Sequence, residues 1–259
     1  MNKQETDGVK DLLDHKYDEF CQSHFIDTDP IQIPKQFTNK EDIEIAAFFA
    51  ATLAWGNRKM IISSANKLIN IMGNSPYDFV MSYSPAQKKQ IEDFKYRTFN
   101  SVDLDFFIQS LNNIYTNHHG LENIFTKGYN VDKSIKSAIS HFREVFISVD
   151  HEKRSEKHLA NVDKQSAAKR LNMFLRWMVR SNCEGVDFGL WKNINPSDLI
   201  IPLDVHCART ARALNLLTRQ QTDWKAAIEL TNKLKDFDSN DPVKYDFALF
   251  GLGVFEKFR

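Results

Sequence analysis

The chain has 259 residues, and its 42% hydrophobic content, with 20 Phe and 4 Trp, is enough for one large domain or two closely packed lobes. Equal numbers of acidic and basic residues, 34 of each, give a formal net charge of zero and exclude the strong overall basic field that marks many nucleic-acid-binding proteins. With only nine Gly and seven Pro and many stretches at helical spacing, the sequence predicts an all-α protein, a single domain of two lobes over residues 1–259.

The sequence also limits the compartment and the cofactors. Residues 1–10 are charged and lack the apolar core of a signal peptide, and the longest apolar segment, 45–55, is too short to span a bilayer. Cys21, Cys183 and Cys207 are widely separated and form no CxxC pair, which argues against a disulfide framework, a zinc site and an iron–sulfur cluster. We therefore expect a cytoplasmic protein without a zinc site or an iron–sulfur cluster.

The predicted elements of the first half are helices joined by short polar turns. A first helix covers residues 11–25, and the capping-box pattern at 38–41 opens an apolar helix over 42–54. Further helices follow at 58–72, 85–94, 103–117, 121–125 and 131–146. Residues 149–164 are rich in charge and poor in apolar side chains, which predicts a solvated loop or linker and the best candidate for an internal boundary.

The second half continues the helical pattern after that boundary. Helices are predicted at 166–180, 205–216, 223–234 and 242–250. Thr222 and Asp241 are the expected caps of the last two helices, and Pro242 suits the first helical position. No stretch alternates polar and apolar residues at period two for long enough to predict a sheet.

Lys169 and Asp204 carry the clearest chemical signal in the chain. Lys169 lies at the start of an amphipathic helix, where the positive end of the macrodipole disfavours a charged amine, and an uncharged amine can attack carbon. Asp204 stands just before a later helix, whose exposed N–H groups favour a carboxylate. Together they predict nucleophilic attack on a cationic or carbonyl-like centre. A helix cap alone also explains Asp204, because most aspartates before helices are only caps.

The helix that follows Lys169 has a basic face. At 100° per residue, Lys169, Asn172, Arg176 and Arg180 lie on the same side, opposite an apolar stripe. Two interpretations stay open. The face is either a solvated basic surface or a cationic surface for phosphates with the lysine at its mouth.

Other candidate ligands carry weaker signals. Met173 and His206 are candidate pocket residues beside the pair, although a histidine in the first turn of a helix is more often a packing residue. His118 and His119 lack an acidic partner at metal-ligand spacing. Residues 236–241 only faintly resemble a calcium loop, because the Gly at its sixth position and the Glu at its twelfth are missing. The sequence therefore predicts no metal site.

A polar turn follows the first apolar helix. Trp55, Asn57, Arg58 and Lys59 surround Gly56 and combine an aromatic ring, an amide and two cations around a flexible residue. This composition fits a wedge that enters a nucleic-acid duplex, and it equally fits a tight turn between two helices. Periodicity does not separate the two interpretations.

Three blocks, residues 45–59, 169–180 and 200–216, resemble in order the framework of the helix-hairpin-helix DNA glycosylases. In those enzymes an early helix ends in a polar turn that enters DNA, a lysine nucleophile follows at the second helix of the hairpin, and an aspartate comes later. The pattern is most similar to the archaeal 8-oxoguanine glycosylases, in which the lysine and the aspartate are also far apart. Blocks 169–180 and 241–251 further resemble a bacterial family of unknown function that spans nearly the whole chain.

The resemblance implies a glycosylase-like fold of two helical lobes with a cleft, which binds double-stranded DNA at a damaged base. It implies that Lys169 forms a Schiff base and that Asp204 stabilises the developing sugar cation, so that an oxidised purine such as 8-oxoguanine is excised by a glycosylase and lyase. Such a protein would require no metal or organic cofactor and would associate with the nucleoid. The implied DNA contacts are Trp55, Asn57, Arg58, Lys59, Ser166, Arg176 and Arg180.

A second function stays open at this point. The glycosylases carry a Gly-x-Gly turn in the hairpin, whereas residues 164–168 contain no glycine, so that the Ser166 hydroxyl would have to meet the phosphate. Because a fold does not carry function by itself, the alternative is a non-catalytic nucleic-acid-binding protein with a glycosylase-like fold.

Overall fold

The structure is a computed structural model that describes residues 3–181, 185–254 and 256, and these residues are mostly helical, which confirms the all-α class. The helices, in chain order, are α1 (Lys3–Phe20), α2 (Lys40–Leu53), α3 (Arg58–Ile71), α4 (Pro76–Met81), α5 (Pro85–Gln90), α6 (Ser101–His118), α7 (Leu121–Asp132), α8 (Ile135–Phe146), α9 (Lys169–Val179), α10 (Val205–Ala213), α11 (Trp224–Lys235) and α12 (Tyr245–Val254). Within the described residues, no helix combines the length and the apolar composition that crossing a bilayer requires.

A small antiparallel hairpin interrupts the helical pattern. Strands β1 (Lys95–Tyr96) and β2 (Phe99–Asn100) pair Lys95 with Asn100 and Tyr96 with Phe99. The expectation of no sheet is wrong here, because strands of two residues are too short to show an alternation in the sequence.

The chain divides into two compact units. Unit 1 comprises Met1–Ile26 and Val162–Arg259, and unit 2 comprises Asp27–Asn161. Unit 1 is therefore built from both ends of the chain, with unit 2 as the stretch between them. One of the two joins falls inside residues 149–164, the segment that the sequence singled out as a candidate boundary.

Residues 149–164 are nevertheless not the solvated linker that their charge predicted. Lys153–His158 forms a 3₁₀ helix in which Ser155 and His158 are buried. Ser155 Oγ donates to Oδ1 of the buried Asp103 at 2.6 Å, and His158 Nε2 lies 3.3 Å from Oδ2 of the same carboxylate. Part of this segment therefore packs against the first turn of α6 instead of forming a solvated loop.

Phenylalanine rings form the core of unit 2. The Phe48 ring from α2 has its centroid within 6.0 Å of the centroids of Phe107, Phe142 and Phe146 from α6 and α8. Phe125 of α7 stacks on Phe142 at 4.4 Å. These side chains are buried, so the burial of aromatic surface holds the helices of this unit together.

Helices α9 and α12 are the most deeply buried elements of unit 1. Every residue over 171–179 of α9 is buried, and the Phe174 ring meets the ring of Trp191 edge-on at 5.4 Å. Helix α12 packs against α1 and α10. Gly251 of α12 permits the approach of α1, because a Cβ at this position would overlap the Phe20 ring.

Three predicted helix caps differ from the structure. Asp223, one residue after the expected Thr222, caps α11. Asn39 occupies the cap position of α2 without a capping side-chain bond, so the capping box predicted at 38–41 is wrong. Asp241 makes no cap bond either, because its carboxylate binds Arg180 instead.

Candidate active site

The turn that precedes Lys169 contains two residues in the left-handed backbone conformation. Gln165 has a φ of 63° and Ala168 a φ of 49°, a region that favours glycine. Ser166 Oγ accepts a hydrogen bond from Ala168 N at 3.3 Å, and Gln165 O accepts one from Trp224 N at 3.1 Å. Because Ala168 leaves the right-handed region, α9 begins at Lys169, and the predicted start at residue 166 is wrong.

Asp204 is held at the start of α10 by backbone groups. Residues 201–203 are buried and fix the direction in which the chain enters the helix. The Oδ1 atom of Asp204 accepts hydrogen bonds from the N–H groups of His206 and Cys207, both at 2.9 Å. The predicted cap is therefore present, and it uses one oxygen of the carboxylate.

The second oxygen of the Asp204 carboxylate faces the amine of Lys169. Nζ of Lys169 lies 4.0 Å from Oδ2 of Asp204, and the two side chains are 28% and 26% exposed. Nζ also lies 3.8 Å from Sδ of Met173, one turn along α9. The amine is thus accessible to a substrate, with a thioether and a carboxylate beside it. An amine can attack an electrophilic carbon in this arrangement while the carboxylate stabilises positive charge.

The two candidate pocket residues differ in exposure. Met173 is buried beneath the Lys169 amine. His206 is exposed on the first turn of α10, next to Val205, whose exposure is 63%. His206 is therefore not the packing residue that its position in a helix predicted, and it lies at the same helix end as Asp204.

Arg176 does not belong to an exposed basic face. It is only 4% exposed, its Nε lies 3.3 Å from Oδ1 of Asp187, and its Nη1 donates to Oδ2 of Asp246. Burial raises the pKa of the Asp246 carboxyl, against the influence of the Arg176 guanidinium. The predicted phosphate contact is therefore wrong for Arg176, because the guanidinium is engaged inside unit 1.

Arg180, one turn after Arg176, is also buried and bound to carboxylates. At 1% exposure, it binds Oδ2 of Asp187 through Nη1 at 2.9 Å, both oxygens of Asp241 through Nε, and Tyr17 Oη through Nη2 at 2.7 Å. Burial opposes the charged form, but the Asp187 and Asp241 carboxylates hold the pKa of Arg180 above its ordinary value. Burial also raises the pKa of Tyr17 to about 12. The phosphate contact predicted for Arg180 is wrong as well.

Cys207 connects the buried ion pairs with the half-buried pair of Lys169 and Asp204. This residue donates its N–H to Asp204 and its thiol to Oδ1 of Asp246 at 3.5 Å, and burial raises the pKa of the thiol well above its ordinary value. Sequence reasoning missed Asp187 and Asp246. A signal existed, since two arginines one turn apart on a helix rich in large apolar residues require carboxylate partners if that helix is buried.

The polar turn between α2 and α3 lies in unit 2. Asn57 is exposed and caps α3, its side chain accepting a hydrogen bond from Met60 N at 3.3 Å. Lys59 is exposed, whereas Trp55 and Arg58 are half-buried. The turn is therefore both a tight helical connection and a surface that presents an amide and cations to solvent.

The β1–β2 hairpin packs against this turn, and sequence reasoning missed it. The Arg97 guanidinium at the hairpin tip lies 4.6 Å from the Trp55 ring centroid, and Tyr96 Oη donates to Trp55 O at 2.6 Å. Gly56 has a φ of 109°, a backbone conformation that residues with a side chain rarely adopt, so the turn favours glycine at this position. No local signal reports the contact of the hairpin with the turn, because it joins residues that are distant in the sequence.

Possible metal ligands are dispersed. Among residues 3–181, 185–254 and 256, no three His, Cys, Asp or Glu side chains are grouped so that they could hold a metal ion. Cys21 and Cys207 are buried, and Cys183 lies outside the described residues.

These features define the protein as a mostly helical one in which an accessible lysine stands beside a capping aspartate. The chain belongs to the family described as Protein of unknown function (DUF2400), whose profile matches residues 29–255. This confirms the expected membership of a family of unknown function that covers most of the chain. No curated protein and no solved structure gives a significant match.

Proposed function

We propose that this protein is a DNA glycosylase with lyase activity, which excises an oxidised purine such as 8-oxoguanine from double-stranded DNA. The observation that carries the proposal is the 4.0 Å distance between Nζ of Lys169 and Oδ2 of Asp204, two residues set at the starts of α9 and α10. The resemblance of three sequence blocks to helix-hairpin-helix glycosylases supports the same assignment. A glycosylase-like fold is part of the proposal.

The first chemical step is loss of the damaged base. The base must leave the stack, at a cost of a few kcal/mol that damage or mispairing reduces. As the glycosidic bond breaks, its electron pair goes to the base nitrogen and positive charge develops on the sugar. The Asp204 carboxylate stabilises that charge, because it is already fixed by α10 and need not reorganise.

The second step is capture of the sugar by Lys169. The uncharged amine attacks C1′ and releases a proton, while the departing base takes up a proton. Breaking the bond from C1′ to O4′ opens the sugar ring, protonates O4′ and leaves a Schiff base between Nζ and C1′. Loss of a proton from C2′ then expels the 3′ phosphate and cleaves the strand, after which water releases the lysine.

The DNA contacts in this proposal are fewer than the sequence predicted. They comprise Trp55, Asn57, Arg58, Lys59 and Ser166. The Ser166 hydroxyl oxygen accepts a hydrogen bond from Ala168 N. The hydroxyl hydrogen takes no part in that bond and can donate to a phosphate oxygen. No metal or organic cofactor takes part in the chemistry, and the protein acts at the nucleoid.

The proposal is tested by borohydride trapping on a duplex that carries 8-oxoguanine opposite cytosine. We expect a covalent adduct with this duplex and none with the same duplex carrying guanine, because only the damaged base is released. If an adduct forms on a duplex with a pre-formed abasic site but 8-oxoguanine is not released, the proposed lyase activity stands and the proposed excision of 8-oxoguanine is wrong. No adduct on either duplex would overturn the chemistry.

A non-catalytic nucleic-acid-binding protein is the alternative. One observation favours it: residues 164–168 contain no glycine where the glycosylases carry their Gly-x-Gly turn, so the chain departs from those enzymes in this segment. A gel shift with damaged duplex and no trapped adduct would assign this function instead.

A further inference from the structure

The polar turn and the hairpin tip of unit 2 form one surface, here called the Trp55–Arg97 surface, which consists of residues 55–59 and 95–98. Tyr96 locks the two segments together, because its Oη donates to Trp55 O at 2.6 Å and its ring meets the Trp55 ring edge-on at 5.8 Å. The surface is therefore assembled in the absence of any partner.

Arg97 covers one face of Trp55 and is itself exposed. Its guanidinium lies 4.6 Å from the Trp55 ring centroid, and its backbone has a φ of 54° at the tip of the hairpin. A guanidinium over an indole occupies the space that a stacked nucleobase would take, and the two interactions are of similar type. Since the Arg97 side chain is long and exposed, it can leave without disturbing the buried core.

The charge of this surface suits a polyanion. Residues 55–59 and 95–98 contain Arg58, Lys59, Lys95 and Arg97 and no acidic side chain. Met60, beside them on α3, is 60% exposed. Cations around an aromatic ring are the combination with which proteins bind the backbone and the unstacked bases of nucleic acids.

We propose that an unstacked base of a nucleic acid displaces the Arg97 guanidinium from the Trp55 ring and stacks there, and that the displaced Arg97 binds an adjacent phosphate. The choice of a nucleic acid as the partner rests on the proposed function, because excision requires a base that has left the stack. It requires no chemistry at Lys169.

The test uses the fluorescence of Trp55. Of the four tryptophans, Trp55 is half-buried, whereas Trp177, Trp191 and Trp224 are at most 3% exposed. We expect a duplex with a single unpaired base to quench the emission at saturation and to protect it from acrylamide, more than a fully paired duplex of the same length. The Trp55→Phe variant should lose this signal, which assigns the emission change to Trp55.

Single variants distinguish the contributions of Trp55 and Arg97 to binding. Trp55→Ala should weaken binding to the unpaired-base duplex by about tenfold to a hundredfold, with a smaller effect on the paired duplex. Arg97→Ala should make Trp55 more accessible to acrylamide in the free protein and lower the slope of log affinity against log salt by about one. The matched control is Lys133→Ala, since Lys133 also has a left-handed φ, 58°, and lies 5.0 Å from the ring of Tyr129.

Each outcome decides between the two proposals. The stacking proposal is wrong if the unpaired-base duplex binds and the Trp55 emission does not change. It is also wrong if Lys133→Ala loses as much affinity as the Trp55 and Arg97 variants. Neither result contradicts the glycosylase proposal. If Trp55→Ala keeps the wild-type affinity and forms the normal borohydride adduct, stacking on Trp55 is again wrong and the glycosylase proposal again stands. Failure of the wild-type protein to bind any nucleic acid overturns both. Melting curves of the variants exclude unfolding as the cause of lost binding.

Discussion

Asp204 approaches Lys169 through one carboxylate oxygen only, because the other oxygen is held by two backbone N–H groups of α10. The carboxylate therefore keeps its orientation whatever the lysine does. At 4.0 Å, the Nζ to Oδ2 distance exceeds the range of about 2.7–3.2 Å for a hydrogen bond that involves a nitrogen donor. The amine is thus near a fixed negative charge without being tied to it, which leaves it able to move towards a substrate carbon.

Lys169→Gln tests the nucleophile. Glutamine is slightly shorter than lysine but still donates hydrogen bonds, and it lacks the amine, so we expect borohydride trapping to vanish while duplex binding survives. Lys164→Gln, in the same turn, is the matched control and should still form the adduct. The reverse pattern would show that Lys164 is the nucleophile.

Asp204→Asn tests the electrostatic role of the carboxylate. Asparagine is a good helix cap, so the melting temperature should change little, whereas base release should slow by about 10²–10⁴ because the developing cation loses its counter-charge. Single-turnover release of 8-oxoguanine measures the effect. Asp204→Ala should add a loss of stability of about 1 kcal/mol through the missing cap. Unchanged release in Asp204→Asn would reduce this residue to a cap.

Arg176→Met tests the buried ion pairs. Removing the guanidinium leaves the Asp246 carboxylate buried without its partner and weakens the hold on Asp187, so the free energy of unfolding should fall by about 3–5 kcal/mol in urea titrations. The double variant Arg176→Met/Asp246→Asn should recover part of this loss, because no lone charge remains at position 246. Arg58→Ala, at a half-buried position in unit 2, is the comparison and should cost far less. A loss in Arg176→Met as small as in Arg58→Ala would contradict the buried network.

Gln165→Gly tests the left-handed turn before Lys169. Glycine adopts a φ of 63° without the cost of about 1–2 kcal/mol that an ordinary residue meets there, so the variant should be at least as stable as the wild type and should keep trapping activity. Lys67→Gly, at an exposed position inside α3, is the control and should lose about 0.7–1 kcal/mol. Equal losses in both variants, read from thermal unfolding, would show that the turn is not strained.

Asp223→Asn tests how α11 supports the same turn. Asp223 caps α11, and the next residue, Trp224, donates its N–H to Gln165. A hydrogen bond from the Arg219 side chain lowers the pKa of Asp223 from 3.8 to about 2. Because the folded pKa is below the unfolded one, the stabilisation is present above about pH 4 and disappears as the pH falls towards 2.

Melting temperatures between pH 7 and pH 2 measure this contribution. The wild type should melt higher than Asp223→Asn at pH 7, and the difference should shrink between pH 4 and pH 2. A difference that persists at pH 2 would mean that the side chain acts through packing rather than charge.

Most of the helices were predictable from the sequence, because helical periodicity depends on neighbours in the chain, whereas three of the predicted caps and the start of α9 were wrong. Lys169 and Asp204 were recognisable for that reason, since each begins a helix whose apolar stripe is visible in its own residues. Their 4.0 Å approach was expected only through the resemblance to glycosylases.

Only the tertiary structure decided what the charged side chains of α9 do. On a helical wheel, Arg176 and Arg180 occupy a polar face, and whether that face meets solvent or carboxylates depends on Asp187, Asp241 and Asp246, which approach it through folding. The contact between Trp55 and Arg97 is of the same kind. Sequence by itself determined the local elements, because their energies are local, whereas burial and ion pairing are set by distant segments.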